Sequence, residues 1–429
     1  MHLFLVGAGH VGLVTAAGFA KLGHRVTVAD IDEARIAALT EGRPPVYEPG
    51  LDAALSAYAR QGRLRFTTDL RPPDDAAISI VCVSTPTGPD GPLSTANVEA
   101  AVRGLLGTVG PEHTIVVRST LPVDGPHRLL ALVDGPPRPR LVTNPEFMRE
   151  GSALADFENP SRVVTGWLEP SDREAAEAVA ELYAPLHAPT MIADAGSVAL
   201  IKLASNVFLA AKVAFANELA RICDAVGADV DTVAAGIGMD GRIGRAFLSA
   251  GPGYGGSCLP EQAVALALQT HERGVPTPLI DAVSRSNETH QRAIVRRLQG
   301  LLGGGLEGRR IALLGLAFKA ETDDVRESPA LALAAYLREA GAEVTGYDPR
   351  AAEKARRADP ALGVRETIAE ALDGADAVLV TTEWREFATL DWSSLAACLR
   401  GDLVYDLRNI VVGQQVREAG LRHESLGRH

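Results

Sequence analysis

Residues 1–20 read MHLFLVGAGHVGLVTAAGFA, and the order of residue types here decides the fold. Residues 3–6 form a short apolar run without polar alternation, the pattern of a strand buried on both faces. Gly7-Ala8-Gly9-His10-Val11-Gly12 follows as a Gly-x-Gly-x-x-Gly turn, and residues 11–22 then space their apolar side chains as a helix does. A second strand over 25–29 ends at Asp30. Strand, glycine turn, helix, strand and terminal acid are together the context that a dinucleotide-binding unit requires. The glycines permit a tight turn and let a pyrophosphate approach the helix N-terminus. Asp30 is placed to accept hydrogen bonds from the adenosine ribose hydroxyls and to repel a 2′-phosphate, which favours NAD over NADP. The stretch could be mistaken for a secretion signal, but it has no basic leading segment and glycines interrupt it.

Outward from this unit, short apolar runs recur at 78–83, 114–118 and 140–143 with helical stretches between them. That alternation predicts a parallel sheet covered on both faces. From about 171 to 295 strand signals fade, and helical patterns dominate 172–184, 196–227 and 260–297. The segment 196–227 is long and nearly free of breakers, as expected of a core helix or a dimer seam. A linker, LLGGGLEGRR at 301–310, precedes renewed alternation. Strands are predicted at 311–315, 343–347, 377–381 and 402–405, with helices at 328–340 and 365–372. The tail after about 412 is polar and is expected to be poorly ordered. The fold class is therefore α/β, with two Rossmann-like doubly wound domains (1–190 and 301–429) joined by a long-helix middle domain (191–300).

Composition narrows the functions. At 429 residues the chain exceeds what one core supports. A net charge of −12 argues against nucleic acid or an anionic membrane as partner, so an anionic substrate needs a local cluster of cations. The four cysteines, Cys82, Cys223, Cys258 and Cys398, have neither metal-ligand nor disulfide spacing, which points to a reducing, cytoplasmic setting. No metal site is expected. Residues 247–262 read FLSAGPGYGGSCLPEQ. A cysteine at the end of a glycine-rich loop and the start of a helix is a candidate nucleophile, because the helix terminus favours its thiolate.

Ordered motifs then reveal a resemblance. CVSTPTG at 82–88, RSTLPV at 118–123, NPEFMREGSALADFENPSRVVTG at 144–166 and IKLASN at 201–206 come first. DGRIGRAFLSAGPGYGGSC at 240–258, GLAFKAETDDVRESPA at 315–330, TEWREF at 382–387 and DLRNI at 406–410 follow. Together the chain resembles the UDP-glucose/GDP-mannose dehydrogenase family over nearly its whole length, and GPGYGGSC looks most like the UDP-glucose branch. The resemblance implies two successive NAD-dependent oxidations at C6 of a nucleotide hexose, through a thiohemiacetal and a thioester on Cys258. It implies that Lys202 and Asn206, one turn apart on a helix, stabilise the oxyanions, that Glu146 handles the hydrolytic water, and that Thr120 hydrogen-bonds near the reacting carbon. On the cofactor side it implies Gly7, Gly9, Val11, Gly12, Asp30, Arg35, Thr85, Thr120, Glu150 and Arg326. Around the UDP-sugar it implies Phe147, Phe247, Gly253, Tyr254, Gly255, Lys319 and Arg408. Arg242 is expected to reach the substrate of a neighbouring subunit, which makes the protein a homodimer.

One departure stands out. The family continues its cysteine motif as Pro-Lys-Asp, and this chain has Pro260-Glu261-Gln262. Gln262 can hydrogen-bond but cannot act as a base. Glu261 does not relocate the lost carboxylate, because one residue along a helix turns a side chain by about 100°. Ser84, where many relatives carry Asn, is a smaller departure. The altered pair leaves open a two-electron or unusual-sugar dehydrogenase, and a nucleotide-sugar-binding protein without catalysis.

Overall fold

The structure is a computed structural model that describes residues 1–88, 93–133 and 137–428. Two compact units emerge. The first comprises Met1–Ser205 with Leu268–Gly274, and the second comprises Asn206–Ala267 with the chain from Val275 onward.

The first unit holds an eight-stranded sheet. Its strands are β1 (His2–Val6), β2 (Arg25–Ala29), β3 (Leu64–Thr67), β4 (Ala76–Val81), β5 (Thr114–Val117), β6 (Arg140–Thr143), β7 (Val163–Trp167) and β8 (Thr190–Asp194). They lie in the order β3-β2-β1-β4-β5-β6-β7-β8. All pair in parallel except β6 with β7. β1 is buried along its whole length and pairs Leu3 with both Val26 and Ile78. The strand order reverses on either side of β1, and a crevice at the carboxyl ends of such strands is where open α/β sheets bind ligands. The helix His10–Lys21 buries Gly12 through Ala20.

Three strands here, β3, β7 and β8, were not foreseen. β3 and β8 are edge strands, and β8 leaves both Thr190 and Met191 exposed, so neither carries the apolar signature of a central strand. β8 also lies beyond about residue 171, where the sequence shows fading strand signals. The sheet continues to Asp194.

The second unit carries a six-stranded, wholly parallel sheet in the order β11-β10-β9-β12-β13-β14. Its strands are β9 (Arg310–Leu314), β10 (Glu343–Tyr347), β11 (Gly363–Val364), β12 (Ala377–Val380), β13 (Leu403–Asp406) and β14 (Arg422–Ser425). Leu313, Leu333, Leu337, Leu379 and Tyr405 are fully buried in its core. The polar tail is ordered, contrary to the sequence reading. β14 pairs with β13, the Leu426 amide donates to the Asp406 carbonyl at 3.1 Å, and the Gly427 amide donates to Asp224 at 3.1 Å. A strand reading Arg-His-Glu-Ser looks like coil because it lies at a sheet edge, where polar side chains are favoured. His429 lies outside the described residues.

The helical patterns read from sequence resolve into the helices Arg173–Glu181, Ala195–Val226, Cys258–His271 and Pro278–Leu301. By length and composition Ala195–Val226 could cross a membrane, and 44% of its most apolar window is buried within the protein. Its exposed apolar residues Leu200, Phe208, Phe215, Ile222 and Val226 recur at spacings that keep them on one face.

Candidate active site

The dinucleotide loop is built as its sequence requires. Gly7 has φ +108°, and a Cβ there would lie 2.7 Å from the Cys82 carbonyl oxygen. A Cβ on Gly12 would lie 1.9 Å from the Gly7 carbonyl oxygen, so neither position admits a side chain. Above Gly9 there is open space, and no side chain caps the helix that Gly9 precedes. The first-turn amides beside Val11 are thus left for an anion.

Asp30 directly follows β2 and is buried. It accepts from the Ala8 amide at 2.7 Å, the Asp32 amide at 3.0 Å and the Arg35 guanidinium at 3.0 Å. Burial acts to raise its pKa, but these three donors outweigh it and hold the carboxyl below its ordinary range. A cradle closed to Cβ atoms, an uncapped helix terminus and a fixed carboxylate at the ribose position fit a dinucleotide such as NAD.

Thr85 and Thr120 are half-buried in the segments that follow β4 and β5, at the same carboxyl edge as the glycine loop. Glu150 is half-buried as well. Its neighbourhood contains a residue that the sequence did not reveal. The buried Glu48 bonds His10 Nε2 at 2.7 Å and accepts from the Gly151 and Ala153 amides at 2.7 and 2.8 Å. It thereby ties the dinucleotide helix to the segment bearing Glu150. Burial would lower the pKa of His10, but the hydrogen bond to Glu48, with the charges of Glu150, Glu48 and Glu146, raises it.

Glu146 and Lys202, 56 residues apart, form one buried unit. The Lys202 ammonium donates to the Glu146 carboxylate at 2.9 Å and to its backbone carbonyl at 2.6 Å. Burial acts to raise the Glu146 pKa, but Lys202, Arg118 and the Met148 amide prevail and lower it, so the carboxylate is ionised. Phe147 lies beneath two cations, with the Arg162 guanidinium 3.9 Å and the Lys202 ammonium 5.4 Å from its ring centre. Lys202 uses two of its three donors on Glu146, which leaves one N–H for a further acceptor.

One helical turn beyond Lys202, Asn206 donates to the Gln262 side-chain oxygen at 2.9 Å, and both residues are buried. Gln262 thus packs against the helix that carries Asn206. Glu261 interacts electrostatically with Arg326, Glu327 and Asp324. Burial raises its pKa, Arg326 lowers it, and the two carboxylates add to the rise. Arg326, expected on the cofactor side, chelates Asp324 at 2.9 and 2.5 Å.

Cys258 opens the helix Cys258–His271, is exposed and forms no disulfide. The preceding loop is crowded. A Cβ on Gly253 would meet Asn287 Oδ1 at 2.8 Å, and one on Gly255 would meet the Glu327 carbonyl oxygen at 2.2 Å. Tyr254 is buried between them. Phe247 adopts φ +63°, a left-handed conformation that costs a non-glycine residue about 1 kcal/mol or more. Lys319 is half-buried, 6.0 Å from the centre of the Phe318 ring. Arg408 donates to the Thr381 carbonyl at 2.9 Å and the Phe318 carbonyl at 3.2 Å, and pairs with Glu383 at 3.0 Å. Arg242 stands on the surface, its side chain 89% exposed and held by Asp240. Among the described residues, no group of three His, Cys, Asp or Glu side chains could hold a metal ion.

Comparison with known proteins agrees with this geometry. Residues 1–187 match the NAD binding domain of the UDP-glucose/GDP-mannose dehydrogenase family, 197–289 its central domain and 312–413 its UDP binding domain. The UDP-glucose 6-dehydrogenase of Rhizobium meliloti (strain 1021) is 41% identical over 436 residues, covering all of both chains. TuaD of Bacillus subtilis (strain 168), also a UDP-glucose 6-dehydrogenase, is 38% identical over 99% of this chain and 92% of its own. A solved UDP-glucose dehydrogenase from Pyrobaculum islandicum superposes with a TM-score of 0.88 at 37% identity, covering 100% of this chain and 98% of that one. The chain belongs to the UDP-glucose/GDP-mannose dehydrogenase family. It is an NAD-dependent oxidoreductase that oxidises a nucleotide sugar at C6.

Proposed function

We propose that the protein oxidises UDP-glucose to the uronic acid through covalent intermediates on Cys258. The observation that carries this reading is the buried Lys202–Glu146 pair, with Asn206 one turn along the same helix. A fixed ammonium and an amide donor suit an oxygen that becomes an alkoxide, and an ionised carboxylate suits the orientation of water. NAD, held by the glycine loop and Asp30, would supply the hydride acceptor for each of the two oxidations at C6.

In the first, Lys202 and Asn206 donate to the C6 oxygen as its proton leaves to water. Thr120 hydrogen-bonds near the reacting carbon. The Cys258 thiolate then adds to the aldehyde carbon, and Lys202 and Asn206 hold the thiohemiacetal oxyanion. Loss of the second hydride leaves a thioester. Glu146 orients a water and takes its proton as the C–O bond forms and the C–S bond breaks, and Cys258 departs as thiolate. Ion pairing makes Glu146 a weak base, so deacylation depends on positioning more than on proton affinity.

For the cofactor, Gly7, Gly9, Val11 and Gly12 receive the pyrophosphate and Asp30 with Arg35 the adenosine ribose, while Thr85, Thr120, Glu150 and Arg326 line the remainder. For the UDP-sugar, Glu146, Phe147, Lys202, Asn206, Phe247, Gly253, Tyr254, Gly255, Lys319 and Arg408 supply the contacts. We assign domains 1–190 to NAD, 191–300 to dimerisation and 301–429 to UDP-sugar. The exposed apolar face of the helix Ala195–Val226 supports a homodimer, and the exposed Arg242 supports a contact from one subunit to the substrate of the other. Four cysteines without a disulfide support a cytoplasmic setting. Incubation with NAD and a panel of UDP- and GDP-hexoses, read by product mass, tests the substrate. UDP-glucose should give the highest kcat/KM, and preference for another hexose would refute the assignment.

A further inference from the structure

The loop Gly251–Gly256 has no regular secondary structure, yet its backbone is held from several sides. The Gly251 amide donates to Asn217 Oδ1 at 2.9 Å, and the Gly251 carbonyl meets His290 Nε2 at 2.8 Å. Asn287 engages Tyr254 twice, accepting from its amide and donating to its carbonyl, each at 3.0 Å. The Gly256 amide donates to the Arg326 carbonyl at 3.1 Å. Asn287 and His290 are three residues apart on one face of the helix Pro278–Leu301. Asn217 belongs to the helix Ala195–Val226, and so does Arg221, four residues on, which bonds His290 Nδ1 at 2.9 Å. Asn217 and His290 are almost wholly buried.

The chemistry of Arg221 fixes the histidine tautomer. A guanidinium can only donate, so Nδ1 must accept and Nε2 must carry the proton given to Gly251. Burial first, and then the Arg221 charge, push His290 down to about 4 against the hydrogen bond to Gly251, so the ring is neutral at ordinary pH. The chain Arg221–His290–Gly251 is therefore polarised in one direction. A Cβ at Gly253 would run into Asn287 and the Gln291 amide, so the loop fits closely against this helix face.

We propose that His290 and Asn287 are positioning residues for catalysis, a template on the helix Pro278–Leu301 that fixes the glycine loop and so sets the location of Cys258. This rests on the reading of Cys258 as the nucleophile. The two residues act through the loop backbone. Loosening them should slow the covalent chemistry without weakening NAD, because the dinucleotide loop and Asp30 have none of these partners.

The test compares His290→Leu, which removes the donor, with His290→Gln, whose amide can still donate to Gly251. Asn287→Asp, which keeps the acceptor for the Tyr254 amide but loses the donor to its carbonyl, stands in if His290→Leu does not fold. In His290→Leu, kcat for UDP-glucose should fall roughly 100-fold, with the NAD Kd by calorimetry within about twofold of wild type and faster hydrogen exchange over residues 250–257. His290→Gln should recover most of kcat. A kcat within about threefold of wild type in His290→Leu and Asn287→Asp, or equal impairment of His290→Gln and His290→Leu, would overturn the proposal. Cys258→Ala, assayed beside them, separates the two readings. Its undiminished activity would sink the nucleophile assignment, and the loop exchange rates would then still judge the template.

Discussion

Replacing Lys202 with Met leaves Glu146 ionised in a buried site with its main partner gone. The two charges are 2.9 Å apart, which at an effective dielectric of 20 corresponds to an attraction of about 6 kcal/mol. Desolvation of both ions offsets much of that gain, but removing one partner of such a pair typically costs about 3–5 kcal/mol, because the other charge stays buried. Arg118 and the Met148 amide remain to support Glu146, so the lower end, about 3 kcal/mol, is expected. Mass-spectrometric hydrogen exchange over residues 140–148 reads this locally and avoids the assumption that a chain of two units unfolds in one step. Exchange there should accelerate by roughly two orders of magnitude at neutral pH.

The sign of the pH dependence follows from the same group. The folded pKa of Glu146 lies below its ordinary value, so its contribution to stability is present above the unfolded value and is lost as pH falls through the folded one. In Lys202→Met that pKa should rise, the carboxyl should take a proton more readily, and the deficit should shrink as pH falls from 8 towards 5. Adding Glu146→Gln to Lys202→Met should recover part of the lost protection. If the single change alters protection by less than about threefold, or if the double variant loses the sum of its parts, the two residues are not acting as a buried ion pair.

Gly12→Ala places a methyl group on the Gly7 carbonyl oxygen and should raise the NAD Kd by about tenfold or more, with UDP binding, also measured by calorimetry, unchanged. Phe215→Glu puts a charge on the exposed apolar face of the helix Ala195–Val226. If that face is the proposed dimer seam, sedimentation velocity should show the parent as a dimer and this variant as a monomer at the same concentration. The paired change Glu261→Lys with Gln262→Asp removes a carboxylate from beside Asp324 and Glu327 and supplies one in place of the Gln262 amide. Uronic acid release should quicken by about tenfold, and an unchanged rate and product would mean that this departure carries no kinetic cost.

The dinucleotide half was legible because its signals are local. Gly7, Gly9, Gly12 and Asp30 fall within one strand–helix–strand unit, and the structure builds each into the loop as the spacing requires. Partnerships were not legible where they join distant segments. Glu146 and Lys202 were each singled out, but nothing in their spacing says that they pair. Glu48 is a lone glutamate in a loop, and only the fold brings it to His10 and the segment after Glu150. Gln262 was read as a loss of charge, and the structure adds that its amide bonds Asn206. Of the strands missed, β3, β8, β11 and β14 lie at sheet edges, where exposed positions or short length blur the apolar pattern of a central strand, whereas β7 is interior and buried, and Thr165 and Gly166 break its apolar run.

The most direct measurement is the number of NADH formed per UDP-glucose consumed, with the product identified by mass, in the wild type and in Cys258→Ala. The wild type should give two NADH and a uronic acid despite Glu261 and Gln262, and Cys258→Ala should form no uronic acid. One NADH with a released aldehyde from the wild type, or two NADH and uronic acid at an undiminished rate from Cys258→Ala, would contradict oxidation through a thioester on Cys258.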